Sequence, residues 1–180
     1  MNKPILYCDC DGVIFNTIEV AFNIMREKGY DVNNQNQRNQ FFQHEVEWVD
    51  IFDKAKVIND SINKLRYIKE SGFFDDVIIL TKLSGGYDEE RLKRDIFKDL
   101  LPGFRVVTLQ YGLDKGLVVP ARGNILIDDE VRNCQKWGNQ NGTSVLFTEY
   151  MSDLEKDIID DLEDVHFTNG VKELLKTRNF

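Results

Sequence analysis

The sequence predicts a doubly wound α/β domain, in which a parallel sheet of about five strands is flanked by helices. Short strand-like apolar segments alternate with amphipathic segments of helical length, as they do in such folds. Several apolar segments are near-continuous runs of Val, Ile and Leu, which is typical of parallel strands covered on both faces. One stretch after the first strand has helical patterning and no strand. We therefore expect a Rossmann-like sheet with a small helical cap inserted after its first strand.

The predicted strands are short and end at polar residues or turns. They cover Pro4–Cys8, Val77–Leu80, Arg105–Leu109, Asn124–Ile127 and Ser144–Phe147. The predicted helices lie between and after them, and the first carries apolar residues at a spacing of three before a Ser-Gly stop. These helices cover Asp60–Glu70, Asp88–Leu101, Glu130–Gly138, Asp153–Leu162 and Val171–Lys176.

The inserted segment is expected to form a cap over residues 17–57, leaving residues 1–16 and 58–180 as the core. Apolar residues from Val20 to Met25 suggest one helix, and those from Phe41 to Phe52 suggest another. An insertion at this point would cover the carboxyl ends of the strands, where open parallel sheets bind their ligands.

The composition restricts the possible partners. The 180 residues include 31 acidic and 23 basic ones, for a net charge of −8, and such a surface repels nucleic-acid polymers. No apolar run is long enough to cross a membrane, and the first residues do not resemble a signal peptide. The three cysteines form no zinc-ligand pattern with the two histidines. We expect reduced thiols, a cytoplasmic location and no membrane partner.

Acidic and hydroxyl side chains follow the predicted strand ends. Asp9 and Asp11 follow the first strand, Thr81 the second, and Asp128 and Asp129 the fourth. The carboxyl ends of parallel strands meet at one edge, where several carboxylates would repel one another unless a cation bound them. Oxygen ligands of this kind predict a Mg²⁺ site, for which all four aspartates are candidate ligands.

The same residues predict a phosphoryl-transfer reaction. Two carboxylates two residues apart at a turn allow one to attack phosphorus while the other exchanges protons. Thr81 would bind phosphoryl oxygens, and Lys115, in the connection before the fourth strand, would neutralise charge. Arg122 is the alternative cation in that connection.

These motifs resemble those of the haloacid dehalogenase-like (HAD) superfamily. The segment DCDGVIFNT from Asp9 to Thr17 resembles its first motif, and VIILT from Val77 to Thr81 resembles its second. Lys115 and the segment ILIDD, which ends at Asp129, resemble the third and fourth. The resemblance implies a Mg²⁺-dependent phosphomonoester hydrolase with an aspartyl-phosphate intermediate.

Within the superfamily the chain is most similar to the 5′(3′)-deoxyribonucleotidases, through LIDDEVRNCQKW with Asn133 and Trp137, and through the small cap. This resemblance implies Asp9 as the nucleophile, Asp11 as the acid and base, and Mg²⁺ held by Asp9, Asp128 and the Asp11 carbonyl. It also implies a small phosphorylated substrate such as a (deoxy)nucleoside monophosphate. The candidate substrate-binding residues are Gly12, Phe15, Phe41, Phe42, Trp48 and Lys82.

Other interpretations remain at this point. The cap aromatics, Phe41, Phe42 and Trp48, are more often the interior of a lid than a substrate platform. A calcium loop beginning at Asp9 would need glycine and glutamate where Ile14 and Val20 stand. A receiver-like signalling module would use the same residue types in a different order. A HAD-like binding module without turnover is the other alternative.

Overall fold

The structure is a computed structural model that describes residues 3–85 and 87–147. Its strands form one parallel sheet in the order β3-β2-β1-β4-β5. They are β1 (Leu6–Cys8), β2 (Val77–Leu83), β3 (Arg105–Gln110), β4 (Ile125–Asp128) and β5 (Thr143–Leu146). The predicted five-stranded, doubly wound α/β fold is therefore confirmed. Receiver domains have the order 2-1-3-4-5, which this sheet does not share.

Seven helices are found among the described residues. They are α1 (Thr17–Glu27), α2 (Gln35–His44), α3 (Trp48–Lys54), α4 (Ser61–Glu70), α5 (Tyr87–Leu100), α6 (Lys115–Val118) and α7 (Val131–Gly138). The sequence predicts α4, α5 and α7 to within about a residue at each end, but it does not predict the four-residue α6. The predicted helices at Asp153–Leu162 and Val171–Lys176 lie outside the described residues. No helix of the described part is long and apolar enough to cross a membrane.

Alternate residues of each strand enter two different cores, because successive side chains of a strand point to opposite faces. Leu6 and Ile79 face the core formed with α4 and α5, whereas Tyr7, Ile78 and Leu126 face the core formed with Trp137 of α7. The central strands are buried on both faces, which explains their near-continuous apolar sequences.

The inserted segment leaves and rejoins the sheet at neighbouring points. The Asn16 main-chain N–H donates to the Lys56 carbonyl at 3.1 Å, and the Ile58 N–H donates to the Ile14 carbonyl at 2.8 Å. Between these contacts, α1, α2 and α3 enclose a small core of their own, to which Leu92 of α5 adds from the sheet domain. This contact places the insertion beside the start of α5.

The prediction of one helix from Phe41 to Phe52 was wrong, because the chain breaks between α2 and α3. The backbone is extended at Glu47, so α3 starts anew at Trp48. The break lets Ile51 enter the interior of the cap while Phe52 reaches the sheet core as well, and it leaves Val49 exposed. The apolar residues from Phe41 to Phe52 indicate a single helix only as long as the core that each of them enters is not known.

Candidate active site

The turn after β1 is built around the Cys10 carbonyl. It accepts hydrogen bonds from the Ile14 N–H at 2.9 Å and the Phe15 N–H at 3.1 Å, which folds the chain back on itself. Gly12 has a φ of +77°, a conformation that side chains with a Cβ disfavour. A Cβ at Gly12 would also lie 2.0 Å from Asp129 Oδ2. Glycine is therefore required at this position for two reasons: the backbone has a positive φ, and Asp129 occupies the space that a Cβ would need.

Three carboxylates meet at this edge of the sheet. Asp9, Asp128 and Asp129 each place an oxygen within 4.8 Å of the others. Asp9 follows β1 and is held in line by its N–H, which donates to the Ile127 carbonyl at 2.9 Å. Oxygen donors at this separation are a set that Mg²⁺ takes, with water and phosphate oxygens completing its shell. The fourth predicted ligand, Asp11, does not place its carboxylate in this cluster.

Lys115 joins two of the three carboxylates. Its Nζ lies 2.9 Å from Asp9 Oδ1 and 2.6 Å from Asp128 Oδ2. It stands at the first position of α6 and is 3% exposed, whereas the alternative cation, Arg122, is exposed. Lys115 is thus the cation of the connection that the structure brings to the site.

Asp128 is fixed from the other side by α7. Asn133 Nδ2 donates to both oxygens of Asp128, at 2.9 Å and 3.1 Å, and the Glu130 N–H donates to Asp128 Oδ1 at 2.9 Å. With Lys115, these donors set the plane of a carboxylate that is fully buried. Supporting hydrogen bonds of this kind orient metal ligands in general.

Burial and mutual repulsion disfavour negative charge in the cluster. Burial, opposed by Lys115 and reinforced by Asp128, raises the pKa of Asp9 to about 7. Burial, with Asp128 beside it, also raises the pKa of Asp129 well above its usual range. Burial lowers the pKa of Lys115, but Asp128 and Asp9 outweigh burial, and the pKa ends above its usual value. The cluster without a cation would therefore bind protons readily, and a divalent cation would compete with them.

Asp11 lies in a different environment from Asp9. Its Oδ1 accepts from Thr17 Oγ1 at 2.8 Å, and its Oδ2 lies 2.6 Å from Lys93 Nζ. Thr81 Oγ1 lies 3.4 Å from the same Oδ2. Thr81 is inside β2, because the strand continues to Leu83 instead of ending at Leu80 as the sequence predicts. The two neighbouring carboxylates thus have different surroundings: Asp9 faces the acidic cluster, and Asp11 faces two threonines and a lysine.

Lys93 is a site residue that the sequence did not reveal. It lies on α5, is fully buried, and was hidden among the alternating charges of that helix. The sequence offers one signal: Glu89, Lys93 and Phe97 are four residues apart and therefore share one face of a helix. The structure shows that this face is buried. Thr17 also contacts Asp11, and its sequence position at the end of the first motif does not indicate that contact.

The predicted substrate-binding residues fall into two groups. Phe15, Phe41 and Trp48 are buried among other apolar side chains, and Phe42 packs against two of them. Their packing roles are evident, and contact with a substrate stays a prediction. Lys82 Nζ lies 2.5 Å from Asn133 Oδ1 and 3.2 Å from Glu130 Oε2, at the rim of the cluster. Gly12 lies inside the site, against Asp129.

Comparisons with known proteins show the fold. No protein-family model matches the sequence, and no curated protein is significantly similar to it. Among solved structures, the magnesium-bound YfnB of Bacillus subtilis, proposed to be a HAD-hydrolase, has a TM-score of 0.60 and 11% identity over 98% of this chain and 100% of its own.

Two further structures are similar over nearly their whole length. A haloacid dehalogenase-like family hydrolase from Streptococcus pneumoniae has a TM-score of 0.58 and 12% identity, over 98% of this chain and 99% of its own. A protein from Clostridium difficile proposed to be a phosphatase has a TM-score of 0.59 and 15% identity, over 97% of this chain and 99% of its own. The chain therefore has the fold of the HAD hydrolases, and its acidic cluster lies at the carboxyl ends of the central strands.

Proposed function

We propose that the protein is a Mg²⁺-dependent phosphomonoester hydrolase that works through an aspartyl-phosphate. The observation that carries the proposal is the pair of carboxylates after β1 with unlike surroundings. Asp9 lies beside Asp128, Asp129 and Lys115, whereas Asp11 is held by Thr17 and Lys93. Adjacent carboxylates with different environments are the usual basis for separate nucleophilic and acid–base roles.

Asp9 is the nucleophile in this proposal. Its Oδ1 is occupied by the Cys10 N–H at 2.8 Å and by Lys115, and among the described residues its Oδ2 has no hydrogen-bond donor. Oδ2 attacks phosphorus, the bond between phosphorus and the ester oxygen breaks, and that oxygen takes a proton from Asp11. Asp11 then takes a proton from a water molecule, whose oxygen attacks the phosphorus of the aspartyl-phosphate. Inorganic phosphate leaves and the Asp9 carboxylate is restored.

Three features of the chain assist these steps. Asp9, Asp128 and Asp129 would hold Mg²⁺, which when bound supplies positive charge that offsets the charge of the phosphoryl group. Lys115 keeps an ammonium next to the nucleophile. Thr81, fully buried in the last part of β2 beside Asp11, offers a hydroxyl to the phosphoryl group. Such fixed charges and dipoles are the largest contribution to phosphoryl-transfer catalysis.

We propose a small phosphate ester of the nucleoside monophosphate class as the substrate. This part rests on the resemblance of the segment around Asn133 to 5′(3′)-deoxyribonucleotidases, and on the small cap. Trp137, the other residue of that segment, is buried against Tyr7 with ring centroids 5.4 Å apart, so its role is packing.

A phosphatase screen tests the proposal. Wild-type protein is incubated with Mg²⁺ and a generic aryl phosphate, nucleoside monophosphates, sugar phosphates and phospho-amino acids, and phosphate release is measured. Asp9→Asn should abolish release while its circular dichroism stays unchanged, and Asp99→Asn, an exposed aspartate on α5, should behave as wild type. Full activity in Asp9→Asn would disprove the mechanism. A long-lived phosphoprotein without turnover would favour a signalling role, and ligand binding without either would favour a binding module.

A further inference from the structure

Lys93 is a buried lysine whose charge is directed at the proposed acid and base. Its side chain is fully buried, and its Nζ lies 2.6 Å from Asp11 Oδ2 and 2.8 Å from Glu89 Oε1. It also donates to the Lys82 carbonyl at 2.9 Å and to Thr81 Oγ1 at 3.2 Å. A lysine in such a place is costly unless it is fully paired, so its contacts are specific rather than incidental.

Three of those contacts do not involve Asp11. Glu89 balances the charge of Lys93, and the Lys82 carbonyl and Thr81 Oγ1 accept two of its three protons. A lysine needed only for packing would require neither a second carboxylate partner nor a direction toward the edge of the sheet. The third proton reaches Asp11, and with Thr17 on the other oxygen it fixes the plane of that carboxylate.

The cap closes the remaining side of Lys93. The Nζ lies 4.8 Å from the ring centroid of Trp48, the first residue of α3, in a cation–π contact. Trp48 is 9% exposed, so water is kept from this side of the ammonium. The contact joins the inserted segment to the residue that holds Asp11.

We propose that Lys93 is a positioning residue that acts through Asp11: it orients the Asp11 carboxylate for proton exchange, under the cover of Trp48 from the cap. The proposal rests on the phosphohydrolase function proposed above. It predicts that removal of Lys93 harms catalysis only while Asp11 is present to be oriented. A residue with a merely structural role would lower activity by the same factor whether Asp11 is present or not.

A double-mutant cycle in kcat separates these cases. Lys93→Met keeps most of the side-chain length without the charge, and it should lower kcat for an aryl phosphate by about 10- to 100-fold, which is only part of the roughly 10²- to 10⁴-fold that an acid–base group itself contributes. In an Asp11→Asn background the same substitution should change kcat by less than about threefold. KM should change little in either background, and Lys93→Arg should recover part of the loss. Lys98→Met, an exposed lysine of the same helix, should change nothing.

Equal loss in both backgrounds, or no loss in either, would overturn the proposal. If Lys93→Met does not fold because Glu89 is left unpaired, Glu89→Gln with Lys93→Met removes both charges and enters the same cycle. If wild-type protein hydrolyses no ester, the phosphohydrolase function has failed, and the cycle is measured in free energies of unfolding instead. Non-additive losses for Lys93→Met and Asp11→Asn would support the pairing, and additive losses would refute it.

Discussion

Lys115 and Asp128 form a buried ion pair in which Nζ lies 2.6 Å from Oδ2, and neither side chain is more than 1% exposed. The same ammonium contacts Asp9, so one lysine serves two carboxylates that the chain brings from different strands. When no metal is bound, the Lys115 ammonium offsets the repulsion among the carboxylates at this edge of the sheet.

Lys115→Met should therefore destabilise the metal-free protein. Removal of one partner of a buried pair leaves an uncompensated charge and typically costs about 3–5 kcal/mol. The free energy of unfolding, measured by urea denaturation at pH 7, should fall by about that amount, and saturating Mg²⁺ should restore part of it. Lys98→Met is the matched control. An unchanged denaturation midpoint would show that the cluster does not depend on this lysine.

Stability should fall with rising pH in the absence of a divalent cation. The pKa of Asp9 is raised from an ordinary value near 3.8 to about 7, and that of Asp129 is raised as well. The folded state thus binds these protons more tightly than the unfolded state. The contribution of Asp9 to stability is complete below about pH 4 and is lost as the pH rises through 7.

Thermal unfolding of the metal-free protein tests this dependence when it is measured at about pH 5, 6, 7 and 8. Tm should fall across the range, and Asp9→Asn should flatten the fall because it removes the titrating group. Millimolar Mg²⁺ should raise Tm most at the upper end, where the carboxylates are free of protons. The same slope in Asp9→Asn and wild type would place the titration elsewhere.

The sequence was sufficient for the fold and for the residues at the strand ends. Asp9, Thr81 and Asp128 each follow an apolar run directly, so the topology of a parallel sheet alone brings them to one edge. Lys93 could not be found in this way, because it reaches the site from the middle of α5. A lysine among alternating charges is usually solvated, and only the fold shows that its face of the helix is buried.

The cap was harder to predict for a different reason. Its helices are short, and their apolar residues divide between the cap's own core and the sheet core. Phe52, for example, packs against both, so its position on one hydrophobic stripe does not define a single helix. Helical periodicity identifies a helix when the apolar residues of one face all pack in the same core, and the apolar residues of this segment pack in two cores.

Gly12→Ala should lower the affinity for Mg²⁺ much more than a control glycine substitution does, while the two variants lose similar folding stability. The new Cβ would lie 2.0 Å from Asp129 Oδ2, so the carboxylate would have to move out of the cluster. Gly29→Ala is the matched control, because Gly29 also has a positive φ, +84°, but nothing lies within 4 Å of its added Cβ. Both variants should lose about 1–2 kcal/mol of stability from backbone strain.

Titration calorimetry with Mg²⁺ should then separate the two. Gly29→Ala should bind as wild type, and Gly12→Ala should bind at least about tenfold more weakly, because loss of a partner that merely orients a metal ligand already costs about 10- to 100-fold. Equal affinities in the two variants would mean that Asp129 does not contribute to the site.

Asn133→Leu should lower the affinity for Mg²⁺ by about 10- to 100-fold, the usual cost of removing a hydrogen bond that orients a metal ligand. Asn133 Nδ2 contacts both Asp128 oxygens, and Leu fills a similar volume without a donor. The substitution also removes one acceptor of Lys82, whose Nζ keeps Glu130 as a partner at 3.2 Å.

Asn139→Leu, at an exposed position just after α7, is the control for the introduction of a leucine into the same segment. If Asn133→Leu bound Mg²⁺ as tightly as Asn139→Leu, the Glu130 N–H and Lys115 would suffice to orient Asp128, and the segment around Asn133 would owe its sequence to packing alone.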